Sequence, residues 1–244
     1  MDKPFVSKQI FLLHFKHTPI FEQLKVEEAL LHTSSDNWCI INEGSSPAIV
    51  MGISAKPKEW INLKKMETAP LPLIQRCSGG GTVIVDEETL FVSFIFQKTL
   101  FDFPCYPRHI LRWSEKFYKV ALSIPGFCLC ENDYVIGMNK CGGNAQYIKK
   151  ARFIHHSTFL WDYQEKHMDY LLYPPTTPIY RATRTHSDFL CRLKDHLTSK
   201  HDFISYIKQT LSTRYDLSEI DINKIAPILQ MPHQQNTKNY IALN

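Results

Sequence analysis

Two short glycine clusters, each beside a single cation, constrain this chain more than any other feature of its sequence. The first is Arg76-Cys-Ser-Gly-Gly-Gly-Thr82, and the second is Lys140-Cys-Gly-Gly-Asn-Ala145. The 244 residues contain nine glycines, and five of them lie in these two clusters. Glycine is needed where φ is positive or where another group must approach the backbone closely. With one cation beside each cluster, the pattern predicts a site for an anionic small molecule.

The first cluster does not match the common glycine loops that bind nucleotides. A dinucleotide fingerprint opens a helix, whereas the residues from Thr82 to Val85 are β-branched and strand-forming. A phosphate-binding P-loop ends in Gly-Lys-Ser or Gly-Lys-Thr, and neither cluster has that ending. We therefore interpret residues 79–81 as a tight loop between strands, with a ligand lying against its backbone. A glycine-rich hairpin without a ligand is the alternative.

The order of predicted elements favours a mixed-sheet α+β domain, because strands and helices do not alternate regularly. Helices are predicted after Pro19, over residues 108–122 and around Ile207. The runs at 38–42 and 48–51 flank a turn and are predicted to form a hairpin. All strands together are predicted at residues 10–15, 38–42, 48–51, 73–76, 82–85, 90–96, 134–136, 140–147 and 153–160.

Composition, cysteine spacing and proline positions limit the classes of protein to which this chain can belong. A net charge of +4 is small for a nucleic-acid-binding protein, and no run approaches the ~18 apolar residues of a membrane helix. Seven cysteines without a CxxC pair indicate reduced thiols and a cytoplasmic location. Prolines at 174, 175 and 178 mark an internal linker. We expect a catalytic domain over residues 1–172 and a helical extension over 173–244, packed on the same domain.

Lys140 and the pair His155-His156 are further candidates for functional residues. Most lysines are solvated surface groups, but Lys140 enters a predicted strand just before two glycines. Its ammonium suits carboxylate and phosphate oxygens, and it can offset charge that develops during acyl or phosphoryl transfer. Adjacent strand residues point to opposite faces, so the two histidines cannot chelate one metal together. We expect one of them to face the site.

Three motifs, in order, resemble those of the lipoate–protein ligase family, within the biotin/lipoate ligase superfamily. Residues 76–86 are similar to the family's R-R-x-S-G-G-G-x-V-x-x-D motif. Residues 132–145 are similar to its second motif, N-D followed by an apolar stretch and G-x-K-(I/V)-S-G-x-A. His155 to Leu160 resembles H-H-G-T-L-L, and residues 21–30, with Glu27 and Glu28, resemble the family's opening helix. Because only residues 176–244 follow the Pro174-Pro175 linker, we expect a short form without the accessory domain of long members.

The resemblance implies a mixed, largely antiparallel sheet flanked by helices, as in biotin/lipoate ligase catalytic domains. It also implies a two-step activity. Lipoate and ATP, with Mg²⁺, would give lipoyl-AMP and pyrophosphate, and a lysine of a lipoyl acceptor domain would then take the lipoyl group. The acceptor would belong to a 2-oxoacid dehydrogenase subunit or to the glycine cleavage H protein. A separate accessory subunit could complete the short chain.

The same resemblance implies roles for individual residues. Lys140 would be the catalytic cation, and Arg76 would offer positive charge to the acyl-adenylate. Asp133 would contact Mg²⁺ or the adenylate. The complete set expected to bind substrate or adenylate is Arg76, Ser78, Gly79, Gly80, Gly81, Thr82, Asp133, Gly142, Gly143, Asn144, Ala145, His156 and Thr158.

Departures from the family pattern leave two alternatives open. Gln75, Val85, Gly142 and Ser157 replace residues that the family usually has. One alternative is an octanoyl or lipoyl transferase that uses an acyl-carrier protein or a pre-formed adenylate, with Cys128, Cys130 or Cys141 as a thioester-forming nucleophile. The other is a degenerate homologue that binds without turnover. ATP dependence, a trapped thioester and binding without activity distinguish the three.

Overall fold

The strands form two sheets in the computed structural model, which describes residues 8–175 and 177–240. The remaining parts of the two expected domains, residues 1–7, 176 and 241–244, lie outside the described residues. The strands of the described chain are β1 Gln9–Phe15, β2 Asn37–Glu43, β3 Ala48–Met51, β4 Leu73–Gln75, β5 Val83–Val85, β6 Thr89–Gln97, β7 Phe127–Cys130, β8 Asp133–Ile136, β9 Asn139–Ile148, β10 Arg152–Leu160, β11 Asp216–Glu219 and β12 Lys238–Tyr240.

The described part of the chain also contains eight α-helices. They are α1 Ile20–Thr33, α2 Pro57–Trp60, α3 Leu63–Thr68, α4 Pro107–Leu122, α5 Glu165–Met168, α6 His186–Phe189, α7 Lys200–Ser212 and α8 Ala226–Leu229. Short 3₁₀ turns lie at Lys98–Leu100, Ile179–Arg181, Leu193–Asp195 and Ile222–Ile225. Within the described ranges, no helix combines the length and the apolar character needed to cross a membrane.

The large sheet has the strand order β11-β1-β2-β6-β10-β9-β8-β7, and the small sheet has the order β12-β4-β3-β5. In the large sheet β1 runs parallel to β2 and β11, and the other neighbours are antiparallel. In the small sheet only the β3–β4 pair is parallel. This is the α+β architecture, with a largely antiparallel sheet flanked by helices, that the sequence predicts.

Strand β6 shows how one apolar run organises two layers. Alternate side chains of a strand point to opposite faces, so a continuously apolar strand is buried on both. The ring of Phe94 packs edge-on against Trp113 and Phe117 of α4, with centroid separations of 5.2 Å each. On the opposite face, Phe91 joins the apolar cluster beneath α1, and Ile95 joins a neighbouring cluster. The sheet therefore separates a helical core from the region beneath α1.

The predicted hairpin between residues 38–42 and 48–51 is wrong. β2 lies in the large sheet between β1 and β6, whereas β3 is a central strand of the small sheet. Ser45 redirects the chain between them: its backbone N–H donates to the Asp86 carbonyl at 3.1 Å, and its hydroxyl accepts from the Ile20 N–H at 2.9 Å. These contacts hold the turn against the start of α1, so the chain leaves the first sheet.

The segment after residue 172, expected to be helical, also contributes strands. β11 extends the large sheet beside β1, and β12 pairs with β4 in the small sheet. The buried carboxylate of Glu28 on α1 accepts from the backbone N–H groups of Asn236 and Thr237, at 2.7 and 3.0 Å. Residues 236–240 are thus held next to β4, which immediately precedes the first glycine cluster.

Candidate functional site

A cavity of about 490 Å³ lies beneath α1, enclosed by the small sheet, strands β9 and β10, Pro174 and the segment 177–190. Much of its wall is apolar and belongs to the hydrophobic cluster that joins α1 to the small sheet. These apolar residues include Ile20, Leu24, Val50, Val85 and Phe91. A concave apolar site with a few convergent polar groups is typical of small-molecule binding.

The buried guanidinium of Arg76 holds the first glycine loop in shape. Its Nη2 donates to the carbonyls of Gly79 and Gly81 at 2.8 and 2.9 Å, and its Nε donates to the Ser78 hydroxyl at 3.1 Å. Gly80 has a φ of +100°, and a Cβ there would lie 2.8 Å from Nη2 of Arg76. Burial lowers the pKa of Arg76 to about 10, so the group is still charged at neutral pH. The hydrogen bonds to Ser78, Gly79 and Gly81 thus use most of the N–H donors of Arg76.

A buried hydrogen-bonded relay connects this loop to α1 and β10. The Ser78 hydroxyl lies 2.7 Å from Nε2 of His156, and Nδ1 of His156 lies 2.7 Å from a carboxylate oxygen of Glu27. The other oxygen of Glu27 accepts from Ser93 at 2.6 Å and from Gln23 at 2.8 Å. Ser78 is fully buried and already accepts from Arg76, so the relay positions the loop and does not present a nucleophile.

The neighbouring histidine lies on the other face of the sheet, as alternation along β10 requires. Nε2 of His155 is 2.9 Å from the hydroxyl of Tyr134, within the helical core. Burial lowers the pKa of His155 to about 3, so this imidazole is neutral at physiological pH. Of these two histidines, His156 is the one that lines the cavity.

We expect the hydrogen bonds of this relay to stabilise the folded protein. We expect Glu27→Ala to lower the free energy of unfolding by about 2–4 kcal/mol, because the donors on Ser93, Gln23 and His156 would lose a buried acceptor. Glu22→Ala on the same helix is the matched control; that side chain is 53% exposed, and we expect a loss below about 1 kcal/mol. Urea denaturation of both variants measures the difference. Equal losses would contradict the structural role of the relay.

Lys140 stands near the start of β9, beside a β-bulge. The register of β8 against β9 shifts between Tyr134 and Val135: Val135 pairs with Lys140 and Tyr134 pairs with Gly142, so Cys141 lies between two paired positions. The ammonium of Lys140 lies 2.8 Å from one oxygen of Asp133, and the other oxygen accepts from the Tyr180 hydroxyl at 2.9 Å. The structure thus brings together two residues that the second motif placed in the site, and adds Tyr180 to them.

Most of the residues expected in the site line the cavity. They are Arg76, Gly80, Gly81, Thr82, Asp133, Lys140, Gly142, Gly143, Asn144, Ala145, His156 and Thr158. Ser78 and Gly79 are not in that wall; the former bonds His156 and the latter offers its carbonyl to Arg76. Their hydrogen bonds give both residues a role in shaping the loop, and their contact with a ligand stays a prediction.

Several residues that line the cavity lie outside the sequence motifs. Trp60 on α2, together with Arg181, His186 and Phe189, lines the same cavity. They come from two segments that the motifs do not cover. Only the fold brings these segments to the glycine loops, through contacts such as the parallel bridge between Lys140 and Leu190. Glu27 belongs to the motif of the opening helix, but no motif predicts its hydrogen bond to His156.

The cysteines proposed as nucleophiles lie elsewhere. Among the described residues that line the cavity, none is a cysteine. Cys141 is fully buried and burial raises its pKa well above the usual value, and the pKa of Cys130 on β7 is also raised by burial. A reactive thiol needs a lowered pKa and access to substrate. The geometry therefore argues against a thioester on Cys128, Cys130 or Cys141.

Asp133 does not fit a resident magnesium ion. Both of its carboxylate oxygens are engaged, one by Lys140 and one by Tyr180. Across residues 8–175 and 177–240, no group of three or more His, Cys, Asp or Glu side chains is arranged to hold a metal ion. We therefore assign no step to a metal bound by this carboxylate.

Sequence comparisons find named proteins that are similar to this chain. An inactive lipoate–protein ligase 2 of Plasmodium falciparum (isolate 3D7) is 29% identical, over 77% of this chain and 65% of that protein. Lipoate-protein ligase LplJ of Bacillus subtilis (strain 168) is 27% identical, over 57% of this chain and 42% of that protein. The aligned region thus spans less than two thirds of the length of either relative.

Structural comparisons and a family model agree with these relatives. A bi-partite lipoate protein ligase from Thermoplasma acidophilum, described with its E2 lipoyl domain, has a TM-score of 0.74 at 15% identity, covering 92% of this chain and 91% of that one. A lipoate-protein ligase A bound with ATP has a TM-score of 0.72 at 15% identity, covering 92% and 93%. At such identities the likeness shows the fold alone. The model of the lipoyl protein ligase A/B catalytic domain matches residues 19–213, and the chain belongs to this family.

Proposed function

We propose that this protein is a lipoate–protein ligase, which activates lipoate with ATP and transfers the lipoyl group to a lysine of an acceptor lipoyl domain. The observation that carries the proposal is the Lys140 ammonium, held 2.8 Å from Asp133 in the wall of a largely apolar cavity. The similar fold bound with ATP and the relatives named as lipoate ligases support it.

The cavity suits a medium-chain acid. Apolar side chains such as Leu24, Val50 and Phe91 offer a dry surface to the hydrocarbon chain and dithiolane of lipoate. The carboxylate of lipoate then lies against the ammonium of Lys140, a compact cation with three donors. Asp133 holds that ammonium in place through its first oxygen.

In the first step, a lipoate oxygen attacks the α-phosphorus of ATP, the bond to the β-phosphate oxygen breaks, and pyrophosphate leaves with the bonding electrons. In the second, the neutral amine of the acceptor lysine attacks the acyl carbonyl, loses a proton, and AMP leaves. In both steps negative charge develops next to the acyl carboxyl group, on the α-phosphoryl oxygens in the first step and on the acyl oxygen in the second. A fixed ammonium there stabilises both transition states more than the separated reactants. Mg²⁺ enters with ATP as part of the substrate.

We propose that the acceptor is a lipoyl domain of a 2-oxoacid dehydrogenase subunit or the glycine cleavage H protein. The similar Thermoplasma ligase is described with an E2 lipoyl domain, which supports a partner of this class. The net charge of +4 favours an acidic acceptor through electrostatic complementarity. Since that ligase is also described as bi-partite, a separate accessory subunit is part of the proposal.

The test measures the mass of a purified acceptor lipoyl domain after incubation with this protein, lipoate and ATP-Mg. We expect a gain of one lipoyl group that depends on ATP. A parallel reaction replaces lipoate and ATP with an octanoyl carrier protein. Acyl transfer from that donor without ATP would contradict the ligase and indicate a transferase, despite the position of the cysteines.

A second candidate function is transfer or binding without activation, which the inactive Plasmodium relative favours. Pre-formed lipoyl-AMP separates these functions. A protein that modifies the acceptor from lipoyl-AMP, but not from lipoate and ATP, carries out the transfer step only. Binding of lipoyl-AMP without any modification indicates a non-catalytic homologue.

A further inference from the structure

Cys141 and Cys191 are neighbours across the contact that joins the segment 177–190 of the cavity wall to β9. Lys140 and Leu190 form a parallel bridge, and the backbone N–H of Cys191 donates to the Lys140 carbonyl at 2.9 Å. The two cysteines are the next residues along each chain, so they stand opposite each other. Neighbouring strands lie about 4.8 Å apart, and a disulfide spans a Cα–Cα separation of about 4.4–6.8 Å. The backbone thus places this pair at a separation that a disulfide can bridge.

The two side chains also meet at their sulfurs. The thiol of Cys141 is within hydrogen-bonding reach of the Cys191 sulfur, and the Ile136 N–H donates to that sulfur as well. Sγ of Cys141 lies 3.4 Å from the Tyr134 carbonyl, and Sγ of Cys191 lies 3.4 Å from the Asn139 carbonyl. Contacts with β8 and with the β8–β9 turn therefore hold both sulfurs in place, next to each other.

The environments of the two thiols differ in a way that suits two successive roles. The hydrogen bond from Cys141 lowers the pKa of the Cys191 thiol, although burial opposes this shift. Cys191 is also partly exposed, so a small molecule from solvent can reach it. Cys141 is fully buried, and burial raises its pKa well above the usual value. Thiolate character and exposure determine which cysteine reacts first with an oxidant, so Cys191 reacts first and Cys141 second.

We propose that Cys141 and Cys191 form a reversible redox site, in which hydrogen peroxide converts the two thiols into a disulfide that ties the cavity wall to β9. The Cys191 thiolate attacks one peroxide oxygen, the O–O bond breaks, and hydroxide leaves while Cys191 becomes a sulfenic acid. The Cys141 sulfur then attacks the Cys191 sulfur and loses its proton, the S–O bond breaks, and water leaves. Two thiols are oxidised, and one peroxide is reduced to two waters.

The position of the pair gives the disulfide a consequence for the cavity. Cys141 directly follows Lys140, and Cys191 directly follows Phe189 and Leu190, which line the cavity. In the reduced protein, hydrogen bonds and packing hold this wall on β9. The disulfide adds a covalent bond at the same place, so the wall can no longer separate from the strand that carries Lys140. It also closes a long loop of chain, which stabilises the folded state.

Peptide mapping tests the site in the folded, full-length protein. The reduced protein is treated with a slight excess of hydrogen peroxide and denatured, its remaining thiols are blocked with N-ethylmaleimide, and unreduced peptides are analysed by mass spectrometry. All seven cysteines are free thiols in this structure. We expect a peptide linked through Cys141 and Cys191 as the main product, with an intact-mass loss of about 2 Da before blocking, since two hydrogens are removed. Dithiothreitol should restore every thiol.

Variants of single cysteines supply the controls. Cys128→Ser is the matched control, because it removes another partly exposed thiol but leaves the pair intact, and it should form the same disulfide. Cys191→Ser should form no linked peptide, and Cys141→Ala should leave Cys191 as a sulfenic or sulfinic acid. If Cys141→Ala does not fold by circular dichroism, the wild type and Cys191→Ser decide. Absence of the linked peptide from the folded wild type, or a different pair as the main product, would overturn the proposal.

A second measurement tests whether the disulfide fixes the wall. We expect the oxidised wild type to unfold about 5–10 °C above the reduced protein, and amide hydrogen exchange in residues 177–191 to slow. Peroxide should cause neither change in Cys191→Ser. A disulfide that leaves both the midpoint and the exchange unchanged would overturn its role in the wall. These experiments use no lipoate, ATP or acceptor, so their outcome is independent of the proposed function.

Discussion

Lys140→Ala will slow the formation of lipoyl-AMP by about 10²–10³-fold, the usual loss when one preorganised electrostatic group is removed. The ammonium faces the carboxyl group in both proposed steps, so transfer from pre-formed lipoyl-AMP should slow by a similar factor. The change also leaves one oxygen of Asp133 without its partner at 2.8 Å. That carboxylate would then repel the lipoate carboxylate and add to the loss.

Single-turnover rates of each step measure the effect. Lys150→Ala, at an exposed lysine in the turn after β9, is the control and should leave both rates unchanged. Lys140→Arg keeps the positive charge but carries it on a larger group, so we expect it to recover only part of the rate. Rates for Lys140→Ala within threefold of the wild type would show that this ammonium takes no part in the chemistry.

Gly52→Ala will disrupt the site although it lies outside both glycine clusters. A Cβ at this position would lie 2.1 Å from the carbonyl oxygen of Gly80, a distance that real structures do not tolerate. The obstacle is backbone, so the loop itself must move, and the hydrogen bond from the Gly52 N–H to the Gly81 carbonyl at 3.2 Å is strained or lost. Displacing a binding loop by about 1 Å costs about 10²-fold in rate.

Gly79→Ala is the matched variant within the loop. A Cβ at Gly79 would meet no heavy atom within 4 Å, so we expect activity within about threefold of the wild type. Initial rates of acceptor lipoylation and the midpoint of thermal unfolding measure both variants. For Gly52→Ala we also expect a loss of about 1–3 kcal/mol in stability from overpacking. Equal activity of the two variants would show that the loop tolerates the displacement.

The sequence predicted elements whose signals are local. The helix over residues 108–122 matches α4, Pro107–Leu122, because its apolar spacing and N-terminal proline act within one helix. The run at 90–96 lies within β6, Thr89–Gln97, since continuous apolar residues suit a strand buried on both faces. Most residues of the two glycine motifs likewise line the cavity, and each motif is recognisable because it is a continuous stretch of chain.

The remaining features depend on contacts between distant parts of the chain. β2 and β3 pair with strands of different sheets, and no residue near the turn between them predicts this difference. The bond between Glu27 and His156 joins residues 129 positions apart. Arg181 enters the cavity through the contacts of its segment with β9, such as the Lys140–Leu190 bridge. Such pairings follow from burial of the whole chain, which a motif does not record.

The most direct test of the ligase account is a search for its intermediate. The purified protein is incubated with lipoate and ATP-Mg in the absence of any acceptor, denatured, and assayed for lipoyl-AMP by mass spectrometry. We expect lipoyl-AMP in an amount comparable to that of the protein, with an equal release of pyrophosphate, and far less of both from Lys140→Ala. Absence of lipoyl-AMP from the folded wild-type protein would contradict activation of lipoate at this site.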